Sequence, residues 1–135
     1  RCRMNRPLRD RLGEGRTRKR LFKEHGPTEK QIHQAVIDHW RACGVPNSIV
    51  ATIPNMRAAG QAGLTKGLPD LMVIAPGLPI GFVELKRHGG AATDAQSAFS
   101  AICNSNGIPW ELTFGREHPI EVLERWGAVK VRSTT

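Results

Sequence analysis

Three charged residues near the middle of the chain, Asp70, Glu84 and Lys86, have types and spacing suited to phosphodiester hydrolysis. Mg²⁺ prefers oxygen ligands; it typically takes one or two carboxylates and completes its coordination with water and substrate phosphate. Asp70 and Glu84 supply that minimum, and the backbone carbonyl of Leu85 is a candidate third ligand. Lys86 would then orient or deprotonate the attacking water, or offset charge on the scissile phosphate.

The segment that carries these residues predicts a β-hairpin. The runs 70–75 and 80–86 are short and β-branched, and the turn residues of Pro76-Gly77-Leu78-Pro79 separate them. Because side chains alternate faces along a strand, Glu84 and Lys86 project to the same side. If the register sets Asp70 opposite Glu84, the two carboxylates can share one cation, whereas a slip of one residue would separate them. A plainer interpretation stays open from the pattern alone, with Glu84 and Lys86 as a solvated ion pair and Asp70 as a turn residue.

The pattern P-D-x13-E-L-K is typical of the PD-(D/E)XK nuclease superfamily. Together with K-G-L-P-D-L, V-E-L-K and a T-x-x-Q that opens a downstream helix, it resembles the VRR-NUC branch over about residues 28–114. The resemblance implies a restriction-endonuclease-like core and a DNA endonuclease that depends on Mg²⁺ or Mn²⁺. It also implies that Glu29 and Gln96 stand near the metal and the scissile phosphate.

Stand-alone members of that family look like phage or mobile-element proteins. The resemblance therefore implies a homodimer that acts on branched DNA such as Holliday junctions, in a bacterial or phage-infected cell. Two other classes stay open: a non-catalytic basic DNA-binding module, and a nuclease subunit that acts on another nucleic acid.

Two capping boxes predict the helices that flank the hairpin. Thr28-Glu29-Lys30-Gln31 begins the first and Thr93-Asp94-Ala95-Gln96 the second. Glu29 has two interpretations, as a first-turn acid favoured by the helix dipole or as a site residue. Gln96 likewise either caps its helix or serves the site. The inward faces are predicted from helical spacing as Ile32, Ala35, Val36, Trp40 and Cys43 in the first helix, and Ala95, Ala98, Phe99, Ile102 and Cys103 in the second.

Further strands are predicted over 48–53 and 109–114, with a short helix over 119–126. The order of helix, strand, hairpin, helix and strand predicts an α/β domain with a mixed central sheet flanked by helices, over residues 28–135. The apolar residues near the C-terminus have two interpretations, as a dimer interface or as the closure of the monomer core: Trp110, Val122, Leu123, Trp126 and Val129.

A glycine-rich loop over 55–67 precedes the hairpin and carries Asn55, Arg57 and Lys66. Glycines let backbone amides approach a phosphate closely, so this loop and Arg87, beside the predicted site, are candidates for DNA contacts. The alternative is that the glycines only serve turns.

Charge is distributed unevenly along the chain. The net charge is +8, and residues 1–25 hold ten Arg and Lys against three acids. A segment of this kind binds polyanions without sequence preference, because phosphate neutralisation releases counterions. We therefore expect residues 1–27 to form a flexible basic tail that binds nucleic acid, although a leader without a role is the alternative.

Several classes are not indicated by the sequence. No run approaches the ~20 apolar residues of a membrane span, and no apolar signal segment is present, so the expected location is the cytoplasm. The three cysteines lack C-x-x-C spacing, which argues against a structural zinc site. The five histidines show no metal-binding pattern and are predicted to be surface or packing residues. No membrane partner and no organic cofactor are expected.

Overall fold

The computed structural model describes residues 26–54 and 65–133. Seven elements follow one another along the chain: α1 Glu29–Cys43, β1 Ile49–Thr52, β2 Leu71–Ala75, β3 Leu78–Lys86, α2 Asp94–Ser105, β4 Trp110–Phe114 and α3 Glu117–Arg125. Both predicted capping boxes are formed, since Thr28 and Thr93 each accept a hydrogen bond from the glutamine three residues on. The predicted helices and strands are therefore present, with ends shifted by one or two residues.

The four strands form one sheet in the order β1-β2-β3-β4. β1 pairs with β2 and β2 with β3 in antiparallel orientation, whereas β3 and β4 are parallel and are connected through α2. The result is an α/β fold with a mixed sheet flanked by three helices, as the sequence predicts. It is compatible with a restriction-endonuclease-like core.

The β2–β3 hairpin has the predicted register near its functional end. Leu71 lies opposite Val83 and Met72 opposite Phe82, so the next position brings Asp70 alongside Glu84. The turn is shorter than predicted, because Pro76 and Gly77 suffice, with Gly77 at a φ of 79°. β3 consequently begins at Leu78, and an irregularity between Val73 and Ala75 absorbs the shift in register.

The main core lies on the sheet face that carries Leu71, Val73, Val83 and Leu85. Against this face pack apolar residues of α1, α3 and the following segment: Ile32, Val36, Ile37, Ile120, Val122, Leu123, Ala128 and Val129. In α1, Ile37 and His39 are buried in addition to the predicted Ile32, Val36 and Cys43.

The apolar residues near the C-terminus belong to this core. Val122, Leu123 and Val129 are at most 2 % exposed, and Trp126 packs against the core from its edge. Of the two interpretations that the sequence left open, core closure holds for these four residues. Trp110 is half-buried in β4.

The opposite face of the sheet carries α2, whose predicted inward face is confirmed for Phe99 and Cys103 and wrong for Ala98 and Ile102. Phe99 meets Phe82 edge to face, with 5.3 Å between ring centroids, and Gln96 reaches Glu84. At about 100° per residue, positions 96, 99 and 103 share one sector, and Ala98 and Ile102 are turned away from it. Ile102 is accordingly 62 % exposed, because a polar residue, Gln96, faces the sheet.

No helix in the described ranges is long and apolar enough to cross a membrane.

Candidate active site

The hairpin ends in a backbone arrangement that fixes Asp70. Its Oδ2 accepts a hydrogen bond of 2.8 Å from the backbone N–H of Leu85. Within a strand the N–H and C=O of one residue point to the same side, so the Leu85 carbonyl also faces the β2 side. The ladder position opposite Leu85 is Pro69, which has no N–H to donate. Pro69 thus leaves the Leu85 carbonyl without its ladder donor, which suits the predicted role of that oxygen as a ligand.

Glu84 is the buried centre of the site, at 2 % exposure. Its Oε1 accepts a hydrogen bond of 2.8 Å from the Gln96 side-chain amide, and the Lys86 ammonium lies 3.8 Å from the same oxygen. Its Oε2 is buried and receives no hydrogen bond from the described residues, and the carboxyl group in its protonated form bonds to the Asp70 side chain. The backbone beneath is also held, because the Thr113 hydroxyl donates to the Glu84 carbonyl. The protein therefore fixes Oε1 of Glu84, whereas no donor meets Oε2.

Burial, a hydrogen bond with the Asp70 side chain and the negative charge of Asp70 together raise the pKa of Glu84 to about 9. Lys86 acts in the opposite direction, and the charge of Glu29 adds to the increase. In the protein without a cation, Glu84 is therefore protonated at neutral pH. A cation that binds there must displace this proton.

Gln96 both caps its helix and contacts Glu84, the two alternatives that the sequence left open. Its side-chain oxygen accepts the backbone N–H of Thr93, as a capping residue should, while its amide nitrogen donates to Glu84. The helix cap thereby fixes the glutamine that holds the carboxylate. Such indirect support is common around metal-binding carboxylates.

Glu29 is both a first-turn acid and a neighbour of the Asp70–Glu84 pair. It lies in the first turn of α1, and its charge reaches Glu84. With Lys86 it lines an open cleft of about 390 Å³ at the end of β3, whose other walls are the residues that follow the strand: Arg87, His88, Gly89, Gly90 and Ala91. All five predicted catalytic residues, Glu29, Asp70, Glu84, Lys86 and Gln96, thus lie around one end of the sheet.

The predicted DNA-contact residues are described in part. Arg87 is exposed and lines the cleft, and Lys66 is exposed in the loop before β2. Asn55 and Arg57 lie outside the described residues, as does the basic segment 1–25.

Gly67, at a φ of 84°, brings its loop against the start of α2. A β-carbon at this position would come within 3 Å of the backbone of Ala95 and Gln96.

The donor set fits a small hard cation. Two carboxylates and a backbone carbonyl provide oxygen ligands only, and a buried carboxylate oxygen that no donor meets is the kind of atom that a cation completes. Within residues 26–54 and 65–133, no group of three or more His, Cys, Asp or Glu side chains has the arrangement of a metal site. Asp70, Glu84 and the Leu85 carbonyl would leave the other coordination positions of such a cation to water and substrate.

Comparison with known proteins found no matching family model, no matching curated sequence and no matching solved structure. The resemblance to VRR-NUC nucleases consequently stays an interpretation of the residues themselves.

Two contributors to the site are not indicated by local sequence patterns. Pro69 belongs to the motif, but its relevant property is the missing N–H. Thr113 is fully buried under Glu84 from β4, 29 residues along the chain, a contact that no local pattern indicates. His88, one of the histidines predicted to be surface or packing residues, is exposed and lines the cleft.

Proposed function

We propose that this protein is a metal-dependent endodeoxyribonuclease of the PD-(D/E)XK type. The observation that carries the proposal is the environment of Glu84: it is buried beside a second acid, Gln96 donates to one of its oxygens and no donor meets the other. A structural ion pair does not need two neighbouring carboxylates, and such crowding of acids costs folding free energy. Clusters of this kind are typical of functional sites.

Asp70, Glu84 and the Leu85 carbonyl would hold Mg²⁺ or Mn²⁺. When bound, such a cation supplies Lewis-acid charge at the phosphate and makes hydroxide available near neutral pH. Asp70 is kept in place by the Leu85 N–H, and Glu84 by Gln96. These contacts orient both carboxylates before any substrate arrives, which lowers the cost of reorganisation during the reaction.

Lys86 has the position of a residue that serves the attacking water. Its side chain is 11 % exposed and lines the cleft, with its ammonium 3.8 Å from Glu84 Oε1. An ammonium there can hold a water by hydrogen bonding, or offset negative charge on the phosphate as the P–O bond breaks. Glu29, which also lines the cleft, can accept a hydrogen bond from that water.

DNA binding would rest on the phosphate backbone. Arg87 lines the cleft, Lys66 is exposed in the loop before β2, and the sequence adds the basic segment 1–25. Contacts of this kind position a duplex without reading its sequence. We therefore propose selection by DNA structure rather than base sequence, in the cytoplasm of a bacterial or phage-infected cell.

The test is cleavage of linear, flapped and four-way DNA with Mg²⁺, with Mn²⁺ and with EDTA. We expect cleavage with either cation, and a loss of at least about a hundredfold in Asp70→Asn and Glu84→Gln, because an amide is a poorer ligand than a carboxylate. Both variants should still bind DNA. Glu121→Gln, an exposed acid on α3, is the matched control. Binding without cation-dependent cleavage by the wild-type protein would leave the basic DNA-binding module or a nuclease subunit that acts on another nucleic acid.

Action on branched DNA as a homodimer is the finer part of the proposal. A single site cuts one strand, so symmetric resolution of a junction needs two sites related by a twofold axis. Because Val122, Leu123 and Val129 are buried in the monomer, a dimer must use another surface. A monomer in sedimentation at micromolar concentration, with equal cleavage of linear and four-way DNA, would remove this part and leave the nuclease proposal intact.

A further inference from the structure

His88 is fixed by the turn that follows β3. The backbone N–H of Gly90 donates to the Arg87 carbonyl at 3.0 Å, and Gly89 between them has a φ of 85°. This is the pattern of a type II turn, in which the third residue must be able to adopt a positive φ. His88 occupies the second position of the turn. Its backbone direction is therefore set by its glycine neighbours.

The imidazole of His88 lies over the end of the β3–β4 pair. Gly115 closes that pair by donating its N–H to the Lys86 carbonyl at 2.9 Å. A β-carbon at Gly115 would stand 2.5 Å from His88 Nε2 and 3.1 Å from Cε1, closer than packed atoms allow. The glycine thus provides the space in which the ring rests.

This position is on the wall of the cleft that contains Lys86 and Glu29. A phosphate bound in this cleft would lie against His88 together with Lys86 and Glu29. Because Nε2 lies against Gly115, the donor to a phosphate oxygen is Nδ1, which carries a proton in the charged imidazole and in one of the two neutral tautomers.

We propose that His88 is a substrate-contacting residue, which donates a hydrogen bond from its imidazole to a non-bridging phosphate oxygen of the DNA in the cleft. This inference rests on the proposed nuclease function. It adds a hydrogen-bond donor that can also act without a charge to the positively charged DNA contacts already proposed, Arg87 and Lys66. Gly115 also adopts a φ of 72°, so a glycine there serves the backbone conformation as well as the space that the ring takes.

The test compares single-turnover cleavage by His88→Ala, His88→Gln and the wild-type protein. The loss of a hydrogen bond to a charged group predicts about a tenfold to hundredfold lower kcat/KM in His88→Ala. His88→Gln should recover part of this loss, because its amide can donate. DNA binding, measured in a Glu84→Gln background without a divalent cation, should weaken about fivefold or more on adding His88→Ala.

Gly115→Ala provides an independent arm. If the ring must rest over residue 115, this substitution should lower kcat/KM in the wild-type background and have less effect once His88 is alanine. His33→Ala is the control, since His33 instead bonds the Thr52 hydroxyl from α1. Thermal melts establish that each variant is folded.

The outcomes separate the two proposals. If the wild-type protein cleaves and folded His88→Ala stays within twofold of it in both cleavage and binding, the inference is overturned and the nuclease function stands. Additive effects of His88→Ala and Gly115→Ala would also overturn it. A wild-type protein that cleaves no DNA with either cation would contradict the nuclease function itself.

Discussion

Glu84 shows at the scale of one residue how the site opposes stability. Its carboxyl group is 2 % exposed, and the adjacent Asp70 adds to the increase in its pKa caused by burial. The Lys86 ammonium, 3.8 Å away, and the Gln96 amide do not compensate for burial and for the charge of Asp70, since the pKa of Glu84 still rises to about 9. Residues that lower stability in this way are expected at functional sites.

Glu84→Gln should therefore stabilise the protein in the absence of a cation. The folded-state pKa of about 9 lies above the ordinary value of 4.5. The wild-type protein has its full stability from this group below pH 4.5 and loses it as the pH rises through 9. Gln cannot ionise, so its advantage should grow across that window, to on the order of 2–4 kcal/mol at the alkaline end. Urea unfolding of both proteins in EDTA, from acidic to alkaline pH, measures the difference.

The control for this measurement is Glu121→Gln, which removes an exposed carboxylate from α3 and should change stability by less than about 0.5 kcal/mol at any pH. A difference between Glu84→Gln and wild type that is independent of pH would show that Glu84 is not buried as an acid with a raised pKa.

At the scale of elements, local patterns predicted most of what surrounds the site. The two capping boxes formed because Thr and Gln at that spacing satisfy each other within one turn. The hairpin register was predictable because alternation requires Val83 and Leu85 to face the core, which leaves Glu84 on the other face.

Contacts between distant elements were not predictable from local patterns. The rotation of α2 is set by Gln96 and Phe99 against β3, and a pattern of apolar residues places Ile102 inward instead. The approach of Glu29 to Glu84, 55 positions away, depends on how α1 lies on the finished sheet. Such placements follow from the packing of the whole domain, where tertiary context overrides local preference.

Gly67→Ala should disrupt the joint between the loop before Asp70 and the start of α2. The substitution forces a positive φ on a residue with a β-carbon and drives that carbon into the backbone of Ala95 and Gln96. We expect a loss of about 2–4 kcal/mol in the free energy of unfolding. Cleavage should fall further than the loss of folded protein explains, because Gln96 holds Glu84. Urea unfolding and single-turnover cleavage measure the two effects.

Gly77→Ala separates the two causes. Gly77 has a similar φ of 79°, but a β-carbon there meets nothing within 4 Å. It should cost only the backbone term of about 1–2 kcal/mol and leave the cleavage rate of folded protein unchanged. Equal effects of both substitutions on stability and cleavage would show that the contact between Gly67 and α2 contributes neither to the free energy of unfolding nor to the cleavage rate.

For the whole molecule, the uneven charge predicts how DNA affinity depends on salt. Residues 1–25 carry a balance of ten basic against three acidic residues. Deletion of residues 1–23 should weaken binding of all DNA sequences alike and make the slope of log K against log salt shallower, by about 0.9 for each phosphate that the segment neutralises. Fluorescence anisotropy at several salt concentrations gives the slope, and circular dichroism checks folding. An unchanged slope would show that this segment takes no part in binding.

Cation binding by the free protein tests the central claim most directly. Mn²⁺ is titrated into metal-free protein without DNA, and free Mn²⁺ is measured by electron paramagnetic resonance. The wild-type protein should bind about one Mn²⁺ per chain, and Asp70→Asn and Glu84→Gln should bind at least about tenfold more weakly. Wild-type affinity should rise with pH up to about 9, because the Glu84 proton must leave. Equal Mn²⁺ binding by the wild-type protein and both variants, or no binding by any of them, would contradict a cation site formed by Asp70 and Glu84.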